Sequence, residues 1–396
     1  MKSTYKVDKL KNYIEQIRGI SYKADNILDE YKSGYKVVLR ANSIKNNKLE
    51  LNNLLYVDEN LIKEKQFIKA NDILIAASSG SKEVVGKSVQ ILKDTNYTFG
   101  AFCKLIRCKN NINPRYVGYF FRTEYYRNTI SNVVCGANIN NLKNENIDDL
   151  NIPIPRLEIQ NKIVEILDKS QELIDNRKEQ IEKLELLVKS KFIEMFGDPV
   201  KNQKKLAKVK LSELGEWKTG GTPLRSKSEY YNGNIPWLSS GELNNKYCFK
   251  SNEMITESAI IESAAKIIEV GSLLLGMYDT AALKSTINMI ECSCNQAIAY
   301  SKLNENLVNT VYVYYCIQIG KEFYKSQQRG VRQKNLNLSM VKGLEILMPP
   351  LEFQNQFAEF VKQVDKLNFE MEKSLKELED NFNSLMQKAF KGKLFK

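Results

Sequence analysis

The chain of 396 residues is long enough for two or three cores; 43% of it is hydrophobic, yet no apolar run reaches bilayer length and Met1–Lys6 leads into no signal-peptide core, so a cytoplasmic protein is expected. Seven scattered cysteines argue against a disulfide framework, and the absence of histidine excludes a serine or cysteine catalytic pair that relies on imidazole. The formal charge of +12 divides into +8 over residues 1–150 and +5 over 198–349, with 151–197 and 350–396 neutral to within one charge, which suits a polyanion gripped at two places and equally suits a lysine-rich solubilising surface.

Residues 1–150 read as short strands and loops with a helix near the end. Val37-Val38-Leu39-Arg40 and Asp72-Ile73-Leu74-Ile75-Ala76 are compact apolar runs bounded by Asn, Ser and Gly, the pattern of buried strands, and Phe99–Ile106 is rich in strand formers. Pro114 opens a helix, because proline suits a first turn and Val117, Phe120, Phe121 and Ile130 recur at helical spacing. The loop from Ser78 to Ser88 invites a phosphate-loop reading, but five residues separate Gly80 from Gly86 where a Walker A motif needs four. Small hydroxyl residues with Lys82 and Lys87 fit a nucleic-acid contact better, or a plain hairpin loop.

Pro155-Arg156-Leu157-Glu158-Ile159-Gln160-Asn161 then opens a long charged segment, and the chain writes it again as Pro349-Pro350-Leu351-Glu352-Phe353-Gln354-Asn355, an offset of 194 that also pairs Asn141 with Asn335 and Leu150 with Leu344. In the first segment Ile159, Ile163, Leu167, Ile174, Ile181, Leu184, Val188 and Phe192 form an apolar stripe that Gly197-Asp198-Pro199 ends. In the second, Phe357, Phe360, Val364, Leu367, Met371, Leu378 and Leu385 fall on a heptad-like step. Each stripe needs a partner, and two helices of equal length in one chain are expected to pair as an antiparallel coiled coil. The alternative is two independent helices on two cores.

Residues 198–349 repeat the plan of the first 150. Ile235–Gly241 sits where the first copy has Lys36–Asn42, Gly271–Gly276 matches Asn71–Ala76, and the helix around Tyr312, Tyr314 and Tyr315 matches that around Phe120. The expected fold is α+β: two mixed α/β domains, 1–152 and 198–348, separated by helical segments 153–197 and 349–396, with a pseudo-two-fold internal repeat. Lys218–Arg225 and Gln327–Lys334 combine flexible glycines with Arg, Gln and Lys, side chains that reach base edges and phosphates; ordinary basic turns are the alternative. Cys292-Ser293-Cys294 lacks the further ligands a zinc site needs. With no G-x-G-x-x-G after a strand and no Asn-Pro-Pro-aromatic tetrapeptide, the chain reads as non-catalytic.

The two Pro-x-Leu-Glu-x-Gln helix openings resemble those of the specificity subunit of type I restriction-modification systems. So do Gly220-Gly221-Thr222-Pro223 followed by Ile235-Pro236-Trp237-Leu238, and Gly19-Ile20-Ser21-Tyr22-Lys23 before Val38-Leu39-Arg40-Ala41, and the resemblance spans the whole chain. It implies two target-recognition domains, each reading one half of a split sequence in double-stranded DNA, with helices that dock two methyltransferase subunits and two restriction/translocase subunits. S-adenosylmethionine, ATP and Mg2+ would belong to those partners and none to this chain. The candidate DNA contacts are Tyr22, Lys23, Arg40, Ser79, Ser81, Lys82, Asn138 and Asn140 in the first half, and Lys218, Thr219, Thr222, Arg225, Lys227, Tyr278, Arg329, Arg332 and Lys334 in the second. Glu158, Gln160, Glu352 and Gln354 are the candidate partner-facing residues. A coiled-coil adaptor that binds no DNA is the competing expectation.

Overall fold

The computed structural model describes residues 3–136, 141–278, 282–326 and 335–395. The chain forms two compact units, the first from residues 1–177 and 374–396, the second from 178–373, so that each unit takes one sheet-bearing domain and part of each long helix. The long helices are Leu157–Phe196 and Leu351–Phe390.

In the first unit a four-stranded antiparallel sheet runs in the order Ile14–Arg18, Cys103–Cys108, Ile73–Ala76, Ser88–Gln90. Ile73–Ala76 is buried along its whole length, as a continuous apolar run in a central strand requires. A second sheet orders Thr98–Phe99, Tyr35–Leu39, Leu55–Asp58 and Ile27–Leu28. The expectation of one strand over Phe99–Ile106 fails here, because the run serves both sheets. Thr98–Phe99 lies parallel to Val38 and Leu39, the chain turns at Gly100, and Cys103–Cys108 joins the other sheet. The Gly100 N–H donates to the Leu39 carbonyl, and a Cβ added there would stand 3.1 Å from the Tyr22 hydroxyl, leaving little room for a side chain where the strand changes sheets.

The second unit repeats this plan. Its larger sheet orders Lys218–Thr219, Ile298–Ser301, Leu273–Gly276, Ser285–Asn288 and Tyr247–Cys248, and its smaller one Glu253–Ile255, Ile235–Leu238 and Ser293–Cys294. The expected matches of Ile235–Leu238 with the strand at Val38 and of Leu273–Gly276 with that at Ile73 are both found, since each pair occupies the same place in its sheet order.

Within the first unit the helix that Pro114 opens reads out the direction of both long-helix segments. Its N-cap Asn113 meets Gln160 and Asn161, the Tyr119 hydroxyl donates to Asp168 and Arg122 to Gln171, so the first helix ascends along it. Tyr116 stacks on Phe390, whereas Tyr119 and Arg122 touch Phe382, so the second helix descends. The two segments are antiparallel and share one core in which Ile163, Leu167 and Ile174 join Phe382, Met386 and Phe390. In the second unit the roles are exchanged: Asn309 caps its helix and meets Gln354 and Asn355, and Tyr312 stacks on Phe192. The heptad reading of the second helix needs correction, because Leu367 is 47% exposed while Val361, outside that reading, is fully buried beside Phe357 and Val364. The stripe faces a domain as well as a helix, so it is wider than a two-helix seam demands.

Candidate nucleic-acid interface

Two segments that differ in sequence, Gly19–Tyr22 and Gly220–Pro223, occupy one backbone position in their respective units. Ile20 N–H donates to the Phe99 carbonyl and Gly221 N–H to that of Cys294, each at 2.9 Å. The partner loops match as well, since Gly100 N–H bonds Leu39 and Asn295 N–H bonds Leu238. The approach is so close that a Cβ on Gly19 would stand 2.2 Å from the Gly100 oxygen, and one on Gly220 2.1 Å from the Cys294 oxygen. Glycine is therefore a steric requirement at both positions.

In the first unit this segment walls a cleft of about 540 Å³ that brings together three of the expected contacts, Tyr22, Arg40 and Ser79. Lys45, Ser78, Gly80 and Phe102 complete much of the lining, and Phe102 is 69% exposed. Arg40 donates to the Asn53 carbonyl at 3.1 Å, which fixes the guanidinium without neutralising it. Burial pushes the Tyr22 phenol up, so its hydroxyl stays protonated at neutral pH. Lys23, Ser81 and Lys82 are exposed, the last two on the turn that follows Ser79.

The second unit treats its cations differently. Lys218 pairs with Glu216 at 2.9 Å, and Thr222 donates to Gln296. Arg225 lies over the rings of Tyr231 and Trp237, 4.5 and 4.9 Å from their centroids, and both of its terminal nitrogens donate to Glu253. Lys227 is held by the Tyr230 hydroxyl at 2.8 Å and by Glu262 at 3.3 Å. Hydrogen bonding to Tyr230 and then to Glu262 raises the Lys227 pKa. Thr219 is engaged in strand pairing with Ala299, and Tyr278 is 40% exposed. Arg225 and Lys227 are thus each paired with a carboxylate of their own unit. Both ion pairs are about half exposed, so solvent screens them and neither holds its cation firmly. A double-mutant cycle on Arg225→Ala and Glu253→Ala followed by urea unfolding should accordingly give a coupling energy no larger than about 1 kcal/mol.

Asn138, Asn140, Arg329, Arg332 and Lys334 lie outside the described residues. Glu158 and Glu352 are exposed in the first turns of the long helices, and the Lys162 ammonium, hydrogen-bonded to Glu158 at 2.8 Å, lowers that carboxyl's pKa. Gln160 and Gln354 are corrected: both are buried, and neither presents an amide to a partner. Gln160 accepts from the Asn113 N–H and donates to the Pro155 carbonyl; Gln354 does the same with Asn309 and Pro349. The repeated glutamine therefore fastens each domain to its helix opening. Leucine at position 354 would leave a buried N–H and a buried carbonyl unpaired, and urea unfolding should show a loss of about 1–3 kcal/mol. Sequence reasoning missed Phe102, hidden in a run read as strand, and Lys45, for which no sequence signal stood out.

Among the described residues no group of three or more Cys, Asp or Glu side chains could hold a metal ion. Burial pushes the Cys292 thiol up to about 12 and raises that of Cys294 well above its ordinary value, so both stay protonated at neutral pH.

The family model described as the type I restriction modification DNA specificity domain matches residues 2–186 and again 203–380. The chain belongs to this family. It is 31% identical over 402 residues to the StySPI type I restriction enzyme specificity subunit of Salmonella potsdam, covering 96% of this chain and 86% of that one. The fold is that of solved members: a type I restriction-modification specificity subunit from M. genitalium aligns with a TM-score of 0.54 at 14% identity over 98% of this chain and 96% of its own. A chain from a structural study of type I system assembly and conformational transition aligns at 0.58, with 15% identity and coverage of 98% and 100%. Each copy of the doubled family match takes in one sheet-bearing domain and most of the long helix that follows it, and no described helix is long and apolar enough to cross a membrane.

Proposed function

We propose that this specificity subunit reads a bipartite target in double-stranded DNA, one half-site per unit, and carries the methyltransferase and restriction subunits of a type I complex without catalysing a reaction itself. The observation that carries this reading is the repeated backbone frame: the same backbone bonds surround Gly19–Tyr22 and Gly220–Pro223, while the side chains they present differ. Two readers with one frame and different surfaces suit two different half-sites. Tyr22, Arg40, Ser79, Ser81 and Lys82 are the contacts of the first unit, and Thr222, Tyr278 and the basic residues near them those of the second. Phosphate contacts by the lysines would position the duplex, and Arg40 and the polar side chains would meet base edges.

The repeated openings at Glu158 and Glu352 would meet two copies of a methyltransferase, because equivalent surfaces on the two halves accept equivalent partners. Two restriction/translocase subunits would complete the complex. S-adenosylmethionine, ATP and Mg2+ are assigned to those partners, and the complex to the cytoplasm. Binding of the assembled methyltransferase complex to duplex DNA should weaken steeply with salt, log K falling by about 0.9 per phosphate contact for each unit of log salt concentration. Lys82→Ala should make that slope shallower by about one contact and weaken all sequences alike. A coiled-coil adaptor would give salt-independent retention, or none.

A further inference from the structure

In both units the end of the central strand lies beside the turn that enters its neighbour, fixed by matching backbone bonds. Ala77 and Ser78 N–H both donate to the Phe102 carbonyl, at 2.8 and 3.0 Å, and Met277 N–H donates to that of Ala297 at 2.9 Å. Beyond them Ser78 bridges Asn141 and Tyr278 bridges Asn335. Leu142 and Leu336 N–H donate to the carbonyls of Ala77 and Met277, each at 2.8 Å. Ser78 thus corresponds to Tyr278, and Phe102 to Ala297.

The side chains at these two positions are exchanged between the units. The first has the ring on the turn and the small residue on the strand end; the second has a buried alanine on the turn and the ring on the strand end. A lone exposed phenylalanine needs no explanation. A ring on one of two adjoining backbone positions in each unit does, and burial does not account for it, since Phe102 is 69% and Tyr278 40% exposed. In the first unit the ring shares its cleft with Tyr22, Arg40 and Ser79.

We infer that Phe102 and Tyr278 are specificity-determining residues, each presenting its ring to the base edges of one DNA half-site. This rests on the DNA-reading function proposed above. Phe102 has no hydrogen-bonding group, so the feature of a base pair it can select is the thymine 5-methyl group in the major groove. Tyr278 adds a hydroxyl that donates or accepts, and its half-site contact need not be thymine.

The test uses the chain assembled with its methyltransferase subunits, and a duplex carrying the motif that methylation mapping reveals. Each thymine of the first half-site is replaced in turn by deoxyuridine, which lacks the methyl group. The unaltered complex should bind one such duplex about tenfold more weakly than the parent. Phe102→Ala should bind both alike, Phe102→Leu should keep part of the discrimination, and Tyr278→Ala should relax one position of the second half-site only. Undiminished discrimination by Phe102→Ala at every thymine, equal weakening of all duplexes, or a deoxyuridine series without effect on the unaltered complex would overturn the assignment. If the unaltered complex binds no duplex at all, the DNA-reading function falls with it; if it binds its motif and Phe102→Ala is indistinguishable, only the role of the ring falls.

Discussion

Replacing Phe192 by alanine should remove about 3–5 kcal/mol from the stability of the second unit, the range for deleting a fully buried aromatic side chain. Its ring is wholly buried, stacked on Tyr312 at 5.6 Å and edge-on to Phe196 and Phe357 at 5.1 and 5.4 Å. It joins both long-helix segments of that unit to the domain, through Phe357 and Tyr312. Phe390→Ala, which removes the ring stacked on Tyr116 at 4.8 Å, should do the same to the first unit. Leu367→Ala lies on the same helix as Phe390, yet the leucine is half exposed and the change should stay within about 0.5 kcal/mol. Urea unfolding of the three variants separates these outcomes; equal losses would mean that the strict heptad, with Leu367 in its seam, describes the helix better than the contacts above.

Gly220→Ala should abolish reading by the second unit while sparing the first. The added carbon would meet the Cys294 carbonyl oxygen at 2.1 Å, and that oxygen is already fixed by the Gly221 N–H. Backbone must move on one side or the other, at a cost of about 1–3 kcal/mol or more, and what moves is the frame that presents Thr222 and Gln296. Gly19→Ala should mirror this in the first unit, where the obstacle is the Gly100 carbonyl. Methylation mapping of each variant should show one half of the motif degraded and the other retained. Unchanged motifs in both variants would mean that the segment does not frame the reading surface.

Much of this architecture could be read before any coordinates. The offset of 194 places the two long helices, and continuous apolar runs locate the central strands at Ile73 and Leu273 because burial on both faces leaves no alternation to mislead. The matched segments Gly19–Tyr22 and Gly220–Pro223 were harder, since insertions between strands shift the spacing from 194 at Asn141 and Asn335 to 201 at Gly19 and Gly220. The sheet change at Gly100 was illegible because its apolar run contains strands of two different sheets with no polar interruption. The repeated glutamines misled for a physical reason as well. Gln160 and Gln354 satisfy their amides on neighbouring backbone, so a polar residue in a charged helix opening is buried, and only the adjoining Asn113 and Asn309 reveal why. At the interface, the expected arginine at 225 is legible as a residue but its Glu253 partner, from a distant strand, is not.

The central claim is that each unit reads its own half of a split target. Single-molecule sequencing of methylated bases tests it most directly, in cells that make the methyltransferase complex with either the unaltered chain or Arg40→Ala. The unaltered chain should give one motif of two short half-sites flanking an unread gap, and Arg40→Ala should relax positions in one half-site only, by about 1–3 kcal/mol of discrimination, with the gap and the other half unchanged. A continuous motif, or an Arg40 variant that alters both halves together, would contradict it.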